Sequence, residues 1–336
     1  MAPPTLFSKQ RRAVALSPAE KRQLAAFAHR QPADDEARSD QRLLANVEGQ
    51  PLTFPSIAGC LQSLVNTQCL SHLLIDNLPL DPQLPPPPTN GARPAGKSCV
   101  SESALLQLAS ACGLRPFGYA EENNGALIHQ ICPAAGRGRE VSSAGRVALG
   151  WHTDLAILRE PYRPDFLFLA CLRNGAATPT LLAELDDLLD ALRLRGPSLV
   201  EALREPRFRL ESPALLHLWG GKSLRSEPRA LLAPGPLGRE VIAANLNTVT
   251  ATDPEAARAL EALQAVLPEV TRPIVIRPGQ ALLFNNQRCL HGRPAIQRGE
   301  RWLQRLYSRR CLRALRQATG SGPTSTCFPI SQLILE

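Results

Sequence analysis

Residues 150–184 read GWHTDLAILREPYRPDFLFLACLRNGAATPTLLAE. His152 and Asp154 stand two apart around Thr153, and in an extended strand that spacing turns both side chains to one face and the small hydroxyl residue to the other. Two metal ligands can therefore come from one strand. A second histidine from elsewhere would complete the two-His, one-carboxylate triad that holds non-haem Fe(II) with positions left open. His291, in LLFNNQRCLHGR, is the candidate. A lone His-x-Asp is a weak signal, so the flanks carry the reading. Residues 166–172, FLFLACL, form an unbroken apolar run that predicts a strand buried on both faces, after a turn at 161–165 and before a further strand at 180–183.

The chain has 336 residues, enough to bury a core without disulfides or structural metal. Its nine cysteines are odd in number and scattered, with no C-x-x-C pair and no signal peptide ahead of them. They read as reduced thiols in a cytoplasmic protein. No stretch approaches 18 uninterrupted apolar residues, which argues against a membrane-spanning helix. The formal net charge is +8, but basic residues are interleaved with acids along the chain instead of forming blocks. That distribution argues against nucleic acid as a partner.

Ser17-Pro18-Ala19-Glu20 reads as a cap with Pro in the first turn, opening a helix to about residue 30 after a loose segment at 1–16. Further helices are predicted at about 56–69, 101–112, 186–195 and from Pro254 onward, with short strands at 72–76 and 127–133 and a loop at 134–146. Gly91 to Ser98, GARPAGKS, matches the phosphate-loop pattern letter for letter but follows a proline run instead of a strand, which weakens an ATP-binding reading. Residues 274–276 and 281–284 read as a hairpin about Pro278-Gly279 that delivers His291. The chain returns at 301–309, where Leu303, Arg305, Tyr307 and Arg309 share a face. Arginines aimed inward from a central strand need anions to meet them.

These elements predict a mainly β protein with helices: a jelly-roll (double-stranded β-helix) core at about 127–312, braced by N-terminal helices and by a helical insert at about 186–270. A single domain spans 17–320, with 321–336 as a C-terminal tail.

Several motifs, in order, resemble the clavaminate-synthase-like branch of the Fe(II)/2-oxoglutarate oxygenases, particularly the bacterial arginine and asparagine hydroxylases. They are LeuPro before a proline run, FGY with a downstream Gln, WHTD, YRPDFLFLACLR, PTLLA, and NNQRxxHGR followed by RWLQRxY. The resemblance covers roughly residues 72–312. It implies His152, Asp154 and His291 as iron ligands, with 2-oxoglutarate and O2 as cosubstrates. Arg305, fourteen residues after His291, is similar to the family's clamp on the distal carboxylate of 2-oxoglutarate, and Thr180 to its hydroxyl partner. Arg309 resembles the arginine that takes a substrate α-carboxylate, and Gln130 with Ser142 or Ser143 the α-amino contacts. The family more often has Glu where Asp154 stands. Its arginine hydroxylases carry an acidic pair where this chain has Asn245 and Asn247, which implies a neutral or modified polar side chain on the substrate.

The implied activity is hydroxylation of a free L-amino acid at C3, less readily C4, releasing succinate and CO2, as in antibiotic biosynthesis. A carrier-tethered substrate, or desaturation or cyclisation, stays open within the same chemistry. Outside it stand a non-catalytic jelly-roll binding protein and an ATP-binding protein.

Overall fold

The computed structural model describes residues 12–31, 40–134, 136–212, 224–297 and 299–334. In chain order its first strands are β1 (Ala13–Ala15), β2 (His72–Asp76), β3 (Arg115–Tyr119), β4 (Ile128–Ile131), β5 (Leu149–His152), β6 (Phe166–Asn174) and β7 (Thr180–Glu184). There follow β8 (Phe208–Arg209), β9 (Leu232–Pro234), β10 (Glu240–Ile242), β11 (Thr250–Ala251), β12 (Arg272–Ile274), β13 (Ala281–Asn285), β14 (Cys289–Arg293), β15 (Arg301–Arg309) and β16 (Cys327–Phe328). The helices are α1 (Pro18–His29), α2 (Asp40–Gly49), α3 (Ala58–Val65), α4 (Val100–Ala111), α5 (Leu185–Arg195), α6 (Pro197–Arg204), α7 (Pro254–Val270), α8 (Arg313–Ala318) and α9 (Ile330–Leu333).

Two sheets face each other. The larger runs β1-β2-β13-β6-β15-β3-β16 with β4 also on β15, and the smaller runs β12-β7-β14-β5. Apolar residues fill three layers. One lies between α1 to α4 and the large sheet, one between the sheets, and one between the small sheet and α5 to α7. The run at 166–172 shows why β6 carries no polar face. Phe166, Phe168 and Ala170 enter the helix-side layer, while Leu167, Leu169 and Cys171 enter the space between the sheets. Each of the Phe and Leu side chains among them, fully buried, contributes about 1.5–3 kcal/mol. A strand covered on both sides has no solvent face to alternate toward.

Several expectations need correction. The segment 274–284 is not a hairpin: β12 pairs with β7 in the small sheet, whereas β13 lies between β2 and β6 in the large one. The turn at Gly279 (φ 82°) carries the chain from sheet to sheet. Apolar alternation specifies a strand but not its partner, and β13, buried throughout, fits the centre of the larger sheet. Residues 13–15, expected to be loose, pair in parallel with β2, while 1–11 lie outside the described residues. The segment expected as a tail is packed into the domain: β16 joins β3, and Phe328, Ile330 and Leu333 are buried between the sheets. The nine cysteines are free thiols.

The phosphate-loop look-alike has a structural role. Lys97 is fully buried, and its Nζ donates to Asp81 Oδ1 (3.0 Å), Glu102 Oε2 (2.7 Å), Ser101 Oγ (2.8 Å) and the Ser98 carbonyl (3.0 Å). Glu102 Oε1 in turn accepts from Gln304 Nε2 at 2.8 Å, which ties the start of α4 to the centre of β15. An ammonium held this way in the interior is not a phosphate ligand. Lys97→Met leaves two buried carboxylates without their cation, so the urea unfolding free energy is expected to fall by about 3–5 kcal/mol. A loss below about 1 kcal/mol would show the cluster to be dispensable.

Candidate metal centre and active-site cavity

The small sheet brings the two histidines together. In the β14–β5 pairing His291 stands directly opposite His152. Gly292 permits that approach, because a Cβ there would lie 2.6 Å from the Leu149 carbonyl oxygen. The strand β5 ends at His152, two residues before Asp154, so the two side chains do not share a strand face. Asp154 reaches the histidines by a turn instead. Asn286, fully buried, accepts from Asp154 N (2.8 Å) and donates to the carbonyls of Asp154 (3.1 Å) and Pro164 (3.2 Å). Leu155 follows with φ 55°, an uncommon value for a branched side chain, and swings the chain away.

Ligand atoms of His152, Asp154 and His291 all lie within 4.8 Å of one another. His152 Nδ1 donates to the Gly150 carbonyl at 2.9 Å, which turns its Nε2 inward, 3.2 Å from Asp154 Oδ1. His291 Nε2 is 3.3 Å from the same oxygen. Burial pushes the His291 pKa down to about 4, so its imidazole is neutral and ready to coordinate. Burial opposes the charge of Asp154, but Arg305 and the two imidazoles outweigh it and hold the carboxyl well below its usual range. Two imidazole nitrogens and one carboxylate oxygen converging on a point fit a divalent iron.

Above this triad, β15 sends alternate side chains into the space between the sheets. Arg301, Leu303 and Arg305 line the cavity with Ile131, Ser143, Leu149, Leu167, Leu169, Thr180 and Arg293. Arg305 Nη1 donates to Asp154 Oδ2 (2.8 Å), and Nη2 bonds to Glu122 Oε1 and to His129 Nδ1 (2.7 Å). His129, burial-shifted to about 4, is neutral and uses Nε2 to meet the Ala126 carbonyl at 3.0 Å. Tyr307 Oη donates to Asp154 Oδ2 at 2.9 Å and lies 3.3 Å from Glu122 Oε1. The other oxygen of Glu122 is buried without a hydrogen-bond partner.

Arg301 differs from Arg305. Its Nη2 stands 3.5 Å from Thr180 Oγ1, and its Nε is buried without a partner. Among the described residues no carboxylate pairs with it, and burial, followed by Arg293, lowers its pKa to about 10. A buried guanidinium in this state is a site for an anion.

Not every expected contact reaches the cavity. Thr180 and Ser143 do, but the hydroxyl of Thr180 meets Arg301, not Arg305. Counting fourteen residues from His291 crosses the turn at 294–300, and residue counts through a turn do not fix a strand's level. Arg309 turns elsewhere: it donates to the carbonyls of Glu160 (3.0 Å), Arg163 and Cys311 (3.4 Å), and pairs with Asp165 at 3.3 Å. It closes the end of β15 onto the 160–163 turn, so its anion is internal. Gln130 is on the far face of the sheet, accepting from Trp302 Nε1 (2.8 Å) and Gln304 Nε2 (3.2 Å), because it pairs with Gln304 while His129 pairs with Arg305. Ser142 accepts from Ala144 N, and its carbonyl from Arg293. Asn245 flanks His152 by a backbone bridge, and its side chain accepts from Asn247 Nδ2 at 2.8 Å. Asn247 itself is exposed. Residues 213–223 lie outside the described residues.

Alternation along 301–309 puts Tyr307 on the face of Arg305 without assigning it a role, and puts Arg301 there as the alternative clamp on the cosubstrate. Glu122 offered no signal, standing in a polar stretch, EENNG, that reads as a loop.

Comparison with known proteins agrees with this geometry. The chain is 32% identical over 262 residues to an L-asparagine oxygenase of Streptomyces coelicolor, covering 74% of each. It is 28% identical over 254 residues to clavaminate synthase 2 of Streptomyces clavuligerus, covering 71% of this chain and 74% of that one. Among solved structures, asparagine oxygenase in complex with Fe(II), 2S,3S-3-hydroxyasparagine and succinate superposes with a TM-score of 0.79 at 23% identity over 95% of this chain and 99% of that one, which shows the shared fold. The non-heme iron oxygenase OrfP, in complex with Fe and alpha-ketoglutaric acid, gives a TM-score of 0.76 at 26% identity over 94% and 99%. The sequence model of the TauD, TfdA family (taurine catabolism dioxygenase) matches residues 96–307, well over half the chain, and the chain belongs to that family of dioxygenases.

Proposed function

We propose that this protein is an Fe(II)- and 2-oxoglutarate-dependent oxygenase that hydroxylates a free L-amino acid with a neutral polar side chain at C3, releasing succinate and CO2. The observation that carries the reading is the pair of guanidinium groups on β15, Arg301 without a carboxylate and Arg305 beside the half-satisfied Glu122. His152, Asp154 and His291 would hold the iron, which with 2-oxoglutarate and O2 supplies the oxidising power for an unactivated C–H bond. Arg301 and Thr180 offer a planar cation and a hydroxyl to the distal carboxylate of 2-oxoglutarate. Arg305 and Glu122 offer a cation and an anion side by side, the complement of a zwitterionic α-amino-acid head group. Leu149, Leu167, Leu169 and Leu303 keep water from the walls between them. Clamping both ends of the substrate's head group near the metal leaves the carbons next to it in reach, which favours C3.

A carrier-tethered amino acid has no free carboxylate for Arg305, so the paired head-group contacts support a free one. Asn245 and Asn247 do not line the cavity, so the neutral side chain rests on their being carboxamides instead of acids in the segment next to His152: an amide accepts a hydrogen bond without neutralising a cation. The relatives named L-asparagine oxygenase and L-ornithine/L-arginine 3-hydroxylase bracket the two cases. Among the described residues no helix is long and apolar enough to cross a membrane.

Succinate release under air with iron, ascorbate and a panel of amino acids tests the activity directly. Asparagine, glutamine or citrulline is expected to outperform arginine, and a KM for arginine far below all three would exclude a neutral-side-chain pocket. His152→Ala, Asp154→Ala and His291→Ala are each expected to abolish turnover with the fold retained by circular dichroism. Retained succinate release by any of them would remove that residue from the metal site. Arg301→Ala should raise the KM for 2-oxoglutarate, and Arg305→Ala that for the amino acid, each by the factor that corresponds to about 2–5 kcal/mol. The reverse pattern would exchange the two roles.

A further inference from the structure

Residues 326–333 are built against the stretch that carries Glu122. Gly118 N donates to the Thr326 carbonyl at 2.8 Å and Ala120 N to that of Phe328 at 2.9 Å. Glu121, next in the chain, spreads its carboxylate over the first amides of α9, accepting from Ile330 N (2.7 Å) and Ser331 N (3.1 Å). Its neighbour Glu122 is bonded instead to Arg305. Beyond them Asn123, Asn124 and Gly125 have φ of 48°, 54° and 75°, three consecutive left-handed residues. Asn and Gly tolerate this conformation, but a run of it persists only where surrounding contacts impose it. At Gly125 the contact comes from the same C-terminal segment, since a Cβ there would lie 2.6 Å from Cys327 Sγ. Phe328, Ile330 and Leu333 anchor the segment among Phe117, Tyr119 and Tyr307.

We infer that residues 326–333 form a strap, latched by Glu121, that holds Glu122 against Arg305, and that Glu121 is thereby a positioning residue for the amino-acid head group. The inference rests on the head-group reading of Arg305 and Glu122 given above. Glu121 touches neither the metal ligands nor Arg301, so its influence falls on one of the two small molecules only.

Two measurements on the full-length chain test it. Hydrogen–deuterium exchange needs no substrate. In Glu121→Ala, amides at 118–126 should exchange faster along with those at 330–333, while β14 and β15 keep their protection. Faster exchange confined to 330–333 would overturn the strap. The kinetic probe is whichever of asparagine, glutamine, citrulline, arginine and ornithine gives the fastest succinate release. Glu121→Ala should raise its KM about tenfold or more while the KM for 2-oxoglutarate stays within about twofold, as expected for losing charge-assisted bonds at one place. Glu121→Gln, which still presents a carbonyl oxygen to the α9 amides, should recover most of the loss. Equal rises in both KM values, or none, would reduce Glu121 to a general stabilising contact. Glu122→Gln separates the two levels of the argument. An unchanged amino-acid KM there overturns the head-group reading, and the exchange result then decides the strap alone. If none of the five amino acids is turned over, the proposed function fails and exchange again decides.

Discussion

The register of β14 against β5 is the constraint on which the site depends. With His291 opposite His152, two imidazoles are brought together by backbone hydrogen bonding alone. A slip of one residue would turn either ring to the other face of its strand. The close approach at Gly292 and the carboxamide of Asn286 complete the arrangement: the one lets the strands meet, the other fixes the backbone that carries Asp154. None of the three ligands owes its place to a flexible loop.

Electrostatics on the opposite wall follows from the same sandwich. The large sheet places β15 at its centre, where side chains on either face are shut off from water, and charged residues there must be matched. On the helix side the matching is internal, through Lys97, Asp81, Glu102 and Gln304. On the cavity side Arg305 is shared between Asp154 and Glu122, whereas Arg301 has, among the described residues, a hydroxyl and no carboxylate. Arg309, at the far end, is absorbed by carbonyls and Asp165. Three arginines at four-residue intervals along one strand thus have three different electrostatic situations, and only the middle and first of them face the metal.

The sequence carried the periodicities and the motif order, and these were enough for the jelly-roll, its bracing helices and the His-x-Asp with a distant His. The apolar run of β6 and the capping signal Ser17-Pro18 with Glu20 are local and were legible as such. What was not legible is whatever depends on partner or level. β12 and β13 look like a hairpin because alternation does not name the sheet, and the resemblance sets Arg305 beside Thr180 because a residue count runs straight through the turn before β15. Gln130 and Arg309 turn away from the cavity for the same kind of reason, a strand face in one case and a strand end in the other. Glu122 stands just before a left-handed turn that packs against residues two hundred positions later, which no local pattern encodes.

The three residues Asn286 to Arg288 that carry the chain from β13 to β14 have a thermodynamic consequence. They form the corner where the large sheet passes into the small one, and the same corner holds Asp154 through Asn286 and the start of α5, just past β7, through the bond from Leu185 N to the Arg288 carbonyl. Opening the corner separates the sheets and disperses the ligands in a single event. Ion occupancy and closure of the sandwich are therefore linked functions: whatever binds the assembled triad resists that opening in proportion to its affinity. The layer of helices packed on the outer face of the large sheet supplies none of the three ligands, so such stabilisation is centred on the two facing sheets.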